Sequence, residues 1–356
     1  MFSNLQNLHS LHPYPCKFPA SVASRFITEK GVLLDPYCGS GTTLLEGAVR
    51  GLDIFGFDCN PIAQLISKCK LVELTSSEVK SLKTIETSIL DGKLHKSIGL
   101  YSLPDFPGKD HWFSNSTQDE FSVLLSELSR FDRESSQWLV LATVISSLVV
   151  TFSNQDSETR YAAVEKNHKR GDLLNSAGKK LNKTLNALED RGSLRSAKRE
   201  VFLGDIRSGI DLPDNFVTQV ITSPPYANTM DYYLYHKQRM NLLGYDFKIT
   251  QNREIGSRHE FSSKKQDVVK WNHDYLIGMR EIARVISPGG KAIFVIGDSQ
   301  LAGKHIDGGQ LTLNSAKKLG LSAKIIESVP MTGKSKTFRS SYQRPNKYEH
   351  IVEIRK

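Results

Sequence analysis

The chain is short of cysteine and lacks any long apolar run. Its four cysteines, Cys16, Cys38, Cys59 and Cys69, all fall in the first fifth of the sequence, with no C-x-x-C pair and no accompanying histidine pattern. That spacing argues against a zinc framework and fits free thiols in a reduced interior, so no metal is expected. The most apolar stretch, WLVLATVISSLVV at Trp138–Val150, is shorter than the roughly 18 residues a membrane span requires. It reads as a core helix, and no membrane partner is expected. The opening MFSNLQNLHSLHPYP has neither the basic start nor the apolar stretch of a secretory leader, so the expected location is cytoplasmic. Acidic charge is in deficit: a net charge of +9 favours a polyanionic partner without defining one. There is no internal repeat and no long low-complexity tract.

What is present is an alternation of strands and helices. Residues 31–70 read as a short apolar strand, a glycine loop, an amphipathic helix, a second strand DIFGFD and another helix, which is half of a nucleotide-binding fold. From 71 to 199 charged, helical-looking segments replace the strands, and this stretch reads as a helical insertion, a candidate DNA-binding or target-recognition subdomain. Strands resume with REVFLGDI and FVTQVITS. After a polar stretch from Ala227 to about Asn272, a helix HDYLIGMREIARVI leads through SPGG, read as a turn, into the strand KAIFVIGDS. The tail adds a helix near Gln310–Leu319 and the strands SAKIIESV and EHIVEIR. The expected architecture is therefore α/β, a mostly parallel doubly wound sheet built from 1–70 and 200–356, with the insertion between them.

The loop DPYCGSGTT follows a strand and opens a helix. Gly39 and Gly41 permit a tight turn and close approach of backbone to a ligand. It has no P-loop lysine, and Leu44 stands where a G-x-G-x-x-G fingerprint needs its third glycine, which argues against ATP and NAD. Asp58, ending the second strand, lies where a carboxylate can accept from both ribose hydroxyls, or else it caps the next helix, for which Asn60 is the better candidate. Asp35, ending the first strand, can accept from a ligand ammonium group or cap the loop. Together these carboxylates suit a cationic adenosine ligand without phosphates.

The segments HPYPCKFPASV, LLDPYCGSGTTLLEGA, GFDCNPIA, FLGDI and TSPPYAN together resemble the amino-methylating, site-specific DNA methyltransferases, in particular the Ser-Pro-Pro-Tyr branch usually assigned to cytosine N4. The resemblance covers about half of the chain, its nucleotide-fold core. It implies a Rossmann-like class I methyltransferase fold with S-adenosylmethionine (AdoMet) as methyl donor. Asp35, Cys38, Gly39, Gly41 and Thr42 would line the methionine side of AdoMet, Asp58 the ribose and Asp205 the adenine amino group, with Lys17 or Phe18 over the methionine end. The implied partner is double-stranded DNA with the target base flipped out, and a cognate restriction endonuclease acting on the same site is a further expected partner. Adenine N6, an RNA or tRNA substrate, and a non-catalytic nucleic-acid-binding protein keeping the fold are the alternatives.

The Ser-Pro-Pro-Tyr corner has a chemical use. An exocyclic amine donates its lone pair into the ring and must pyramidalise before it attacks a methyl group, which acceptors beside its hydrogens favour. Ser223 Oγ and the Pro224 carbonyl are such acceptors; Pro224 and Pro225 fix the backbone direction and bring no competing N–H. Tyr226 offers a face on which an extruded base can stack. The corner equally suits a proline stop at a strand end with Tyr226 as packing. Asn228, Asp231 and Tyr232 follow, either shaping the base pocket or capping and packing the next helix. Eleven Lys and Arg residues between 160 and 199, and the tail GKSKTFRSSYQRPNK at 333–347, would face phosphates. Within SNQDSETRY, Arg160 and Tyr161 would contact a phosphate or base, or the segment is a capping loop. Because the insertion precedes FLGDI, unlike the family's commonest arrangements, the target-reading segment is either the insertion, 227–272, or both.

Overall fold

The computed structural model describes residues 5–196, 198–228, 230–262, 267–301, 304–331 and 347–356. It divides into two compact units, one formed by Phe18–Gln64, Arg195–Tyr233 and Lys248–Lys356, the other by Met1–Lys17, Leu65–Leu194 and Leu234–Phe247. The first is a sheet unit and the second is mainly helical.

The sheet has seven strands: β1 (Val32–Asp35), β2 (Asp53–Asp58), β3 (Arg199–Leu203), β4 (Val217–Thr222), β5 (Ile286–Gly297), β6 (Ser322–Pro330) and β7 (Tyr348–Arg355). Their order is β6-β7-β5-β4-β1-β2-β3. The pairs from β3 across to β5 are parallel, and β7 runs antiparallel between β5 and β6. This is the mostly parallel, Rossmann-like arrangement of class I methyltransferases. The chain moves outward from β1 to β3 and then restarts with β4 on the other side of β1, so β1 and β4 flank the topological switch point, where open α/β sheets bind ligands.

Both faces are covered, as period-two alternation requires. Leu34, Phe55, Val220, Ala292 and Ile354 lie in register across five strands. They are buried together with Met279 and Ile282 of the helix Val268–Val285. Each of Leu34, Phe55, Val220 and Ile354 contributes roughly 1.5–3 kcal/mol by its burial, and Ala292 less. The opposite face carries Leu33 and Ile54, on which Gly47 of the helix Thr42–Ala48 rests so closely that a Cβ there would lie 2.5 Å from the Leu33 side chain. The expected SPGG turn differs. Residues 287–290 bulge out within β5, whose pairing with β4 jumps from Val217↔Ile286 to Gln219↔Lys291, and Gly289 accommodates the excursion with φ 77°.

In the helical unit, Ser136–Phe152 is buried on nearly all sides, as its apolar run implies, and Ser135 caps it by accepting from the Trp138 N–H. The helix Asp172–Arg191 buries a Leu and Ala stripe instead, and Gly178 lets it approach the helix Ser76–Leu90, where an added Cβ would meet Leu90 at 2.9 Å. The SNQDSETRY segment caps the C-terminus of the helix Ser136–Phe152 through Ser153, whose N–H donates to the Val149 carbonyl at 2.8 Å, and continues into a two-stranded hairpin, Gln155–Ser157 with Arg160–Ala163. Among the described residues no helix is long and apolar enough to cross a membrane.

Candidate active site

The glycine loop leaves β1 and folds onto the end of β2. Cys38 donates its N–H to the Phe57 carbonyl at 3.0 Å, and Gly41 closes the turn onto the Cys38 carbonyl at 2.8 Å. Gly39 and Gly41 hold φ of 49° and 72°, the left-handed region that glycine tolerates. Cys38 and Thr42 are buried beneath the loop.

Two carboxylates close the ends of β1 and β2. Asp35 accepts from the Thr222 hydroxyl at 2.6 Å and from the Tyr37 N–H at 3.3 Å. Asp58 accepts from the Gly39 and Asn60 N–H groups, each at 2.9 Å, while Asn60 itself caps the following helix through Ile62 N–H. These donors are all neutral. Burial therefore dominates, pushing Asp35 up to about 7 and Asp58 up to about 6. Asp205 differs: both its oxygens are taken by Arg207, at 2.7–3.1 Å, and the same guanidinium reaches Asp274 at 2.9 Å and the Asn252 carbonyl at 3.1 Å.

Ser223 begins where β4 ends, directly after the Thr222 that bonds Asp35, so the Ser-Pro-Pro-Tyr corner and the glycine loop leave adjacent parallel strands at the same edge. Pro224 is buried; Ser223, Pro225 and Tyr226 are partly exposed. The Tyr226 ring lies against Gly297, where a Cβ would come within 2.6 Å, and its hydroxyl reaches Glu349 Oε1 at 3.1 Å and Ser223 Oγ at 3.4 Å. Asn228 has φ 55°, bonds the Gly256 carbonyl through its N–H, and donates from its side chain to the Gln300 carbonyl at 3.1 Å. Asp231 is buried and accepts from His259 N–H at 3.0 Å, at the start of the helix Arg258–Ser262. Tyr232 opens the short helix Tyr232–Tyr235.

The remaining candidates stand elsewhere. Lys17 belongs to the helical unit, where its ammonium donates to the His9 and His12 carbonyls and burial brings it down to about 8. Phe18 opens the sheet unit. Arg160 and Tyr161 are on the helical unit's hairpin: Arg160 is exposed and 3.4 Å from Asp156, while the Tyr161 hydroxyl accepts from Gln238 and its ring packs on Trp112. Of the basic tail, only Lys347 is among the described residues.

Three acidic or basic side chains near these groups had no motif to mark them. Arg207 clamps Asp205, and Glu349 meets Tyr226. Glu254 is buried, accepts from Tyr233 N–H with one oxygen and has no hydrogen-bond partner for the other among the described residues, and burial holds its carboxyl far above the usual range. No local pattern around Glu254, which directly follows Arg253 in REIG, marks it in the sequence.

No protein-family model matches the chain. It is 26% identical over 281 residues to the type II methyltransferase M.MvaI of Kocuria varians, covering 69% of this chain and 59% of that protein. It is 25% identical over 320 residues to the type II methyltransferase M.BsoBI of Geobacillus stearothermophilus, covering 79% and 62%. A shorter match, 30% over 81 residues, covers 22% of this chain and 15% of the type II methyltransferase M.MjaII of Methanocaldococcus jannaschii. The chain thus spans about three fifths of the length of the first two. Among solved structures, P. horikoshii TYW2 in complex with MeSAdo aligns at TM-score 0.35 and 8% identity over 96% of this chain and 64% of that one. The rRNA methyltransferase aviRa of Streptomyces viridochromogenes aligns at 0.33 and 12% over 99% and 94%. The fold assignment rests on the strand order and register instead. The chain is distantly similar to type II methyltransferases.

Proposed function

We propose that this protein transfers a methyl group from AdoMet to an exocyclic amine of a DNA base, cytosine N4 in the first instance. The observation carrying this reading is the Thr222–Asp35 hydrogen bond, which ties the strand end leading into Ser223 to the strand end leading into the glycine loop. Amine acceptors and cofactor loop then serve one space at the switch point.

The residues present fit AdoMet. Two buried carboxylates lifted toward neutrality by desolvation are suited to a ligand that brings positive charge and hydroxyl donors, and each carboxylate keeps acceptor capacity beyond the N–H and O–H groups it already holds. Asp35 would face the charged methionine portion and Asp58 the ribose. Asp205, saturated by Arg207, would brace the adenine side. AdoMet, when bound, supplies the electrophilic methyl on its sulfonium.

The chain's own part is positioning. Ser223 Oγ and the Pro224 carbonyl hold the amine hydrogens and favour a lone pair out of the ring plane. Tyr226, braced at both ring and hydroxyl, provides a fixed face for the extruded base, and stacking of roughly 1–3 kcal/mol offsets much of the unstacking cost. The Lys and Arg residues between 160 and 199, by this reading, cover DNA phosphates, and an endonuclease of the same specificity would be the protein's biological counterpart.

The test is nucleoside mass spectrometry of genomic DNA incubated with protein and AdoMet. N4-methylcytosine is expected; N6-methyladenine would move the reading to the other amine; no methylated nucleoside would overturn it. Ser223→Ala is expected to lower the single-turnover rate roughly a hundredfold with AdoMet affinity unchanged. A rate equal to wild type would remove Ser223 from its role.

A further inference from the structure

We infer that Glu349 is a positioning residue that acts through the Tyr226 hydroxyl to aim the lone pairs of Ser223 at the substrate amine. This rests on the reading above and adds to it a residue outside every motif.

The argument is one of hydrogen accounting. For Ser223 to accept from an amine, its own hydroxyl hydrogen must point elsewhere, and among the described residues the acceptor within reach is the Tyr226 oxygen at 3.4 Å. That oxygen can accept only if the phenol hydrogen is committed to another group. Among the described residues two acceptors compete for it: the Val295 carbonyl at 3.4 Å and Glu349 Oε1 at 3.1 Å. The carboxylate is closer, and a charged acceptor makes a bond about twice as strong as a neutral one. The hydrogens therefore run in one direction, from Ser223 to Tyr226 to Glu349, and leave the serine lone pairs free. The Ser223–Tyr226 contact is long for a hydroxyl pair, as catalytic hydrogen bonds are in unliganded sites.

The fold places these three groups independently of the corner's own sequence. Glu349 stands on β7 opposite Gly297 of β5, and Gly297 is the residue whose missing side chain makes room for the Tyr226 ring. The antiparallel strand inserted beside β5 thus brings a carboxylate to the carboxyl edge of the parallel sheet.

The experiment combines Glu349→Ala, Glu349→Gln, Tyr226→Phe and the Glu349→Ala/Tyr226→Phe double variant. It measures single-turnover methylation, AdoMet affinity by calorimetry, and base extrusion by 2-aminopurine fluorescence in the DNA. Glu349→Ala is expected to slow transfer roughly tenfold or more with AdoMet affinity and extrusion within about twofold of wild type. Glu349→Gln, which keeps an acceptor oxygen, should recover most of the rate. In the Tyr226→Phe background the Glu349→Ala change should add nothing, because the hydroxyl through which it acts is gone. Additive losses, or a Glu349→Ala rate within about twofold of wild type, would overturn the inference while leaving the proposed function standing. A wild-type protein that methylates no base would overturn both.

Discussion

Buried charge is handled in opposite ways at two places in the molecule. In the sheet unit, Asp35 and Asp58 are sealed among neutral hydroxyl and N–H donors. In the helical unit, the fully buried Arg239 is saturated by its surroundings. Its Nε donates to the Ser146 carbonyl at 2.9 Å, one amino group reaches His236 Nδ1 at 3.1 Å, and the other holds both oxygens of Glu158 at 2.7 and 2.8 Å. The Tyr14 ring stacks on His236, and His12 bonds the Ser146 hydroxyl. A charge with matched partners holds segments together; one with neutral donors only is raised in energy and awaits something cationic.

Removing charge should therefore have opposite signs in the two places. Arg239→Ala strips a partner from the Ser146 carbonyl, from His236 and from the Glu158 carboxylate at once, and the expected loss is on the order of 3–5 kcal/mol in urea unfolding. Little or no loss would mean that the network is decorative and the contrast false. Asp35→Asn keeps an oxygen for Thr222 but removes a carboxylate that burial disfavours. Above about pH 7 it should be more stable than wild type, by up to a few kcal/mol, while binding AdoMet more weakly. Equal or lower stability at high pH would show that Asp35 is already compensated within the fold.

Much of the sheet was legible because its signals are local: apolar alternation in β1, β2 and β4, and a glycine loop between strand and helix. Asn60 capping the helix after β2 was legible for the same reason. What did not read through depends on distance along the chain. Glu349 lies 123 residues from Tyr226, and no local pattern marks a carboxylate brought in by an antiparallel strand. Arg207 looked like an ordinary strand-end charge, yet it occupies the oxygens of Asp205 and meets Asp274, 67 residues on. SPGG has turn composition, but pairing resumes beyond it, so the same glycines make a bulge within one strand. Asp231 likewise sits at the head of a helix that begins 27 residues later.

The pH response sharpens the contrast further. Asp35 and Asp58 are raised by burial, so their contribution favours the folded state at low pH and is lost as pH rises through about 6 to 7. His12 and His236 are lowered by burial and by Arg239, so theirs is present above about 6.5 and lost as pH falls. Hydrogen-exchange protection compared at about pH 5.5 and 7.5 should shift toward the sheet unit at the lower value and toward the helical unit at the higher. A parallel shift in both units would mean that these groups do not set the local balance. AdoMet affinity should rise over the same interval, as Asp35 ionises.

The smallest effect tests the exposed edge of the helical unit. Arg160 is 62% exposed and pairs with Asp156 at 3.4 Å, a surface contact whose removal should change stability by no more than about 0.5 kcal/mol. If the hairpin covers phosphate in the proposed complex, however, Arg160→Ala should weaken DNA binding similarly on all sequences and lower the slope of log affinity against log salt by about one. Stability and salt dependence thus read different things in one variant. A slope unchanged beside an unchanged stability would assign Arg160 to a solvated face and leave the phosphate contacts to other basic residues of the unit, of which the helix Asp172–Arg191 carries Lys179, Lys180 and Lys183.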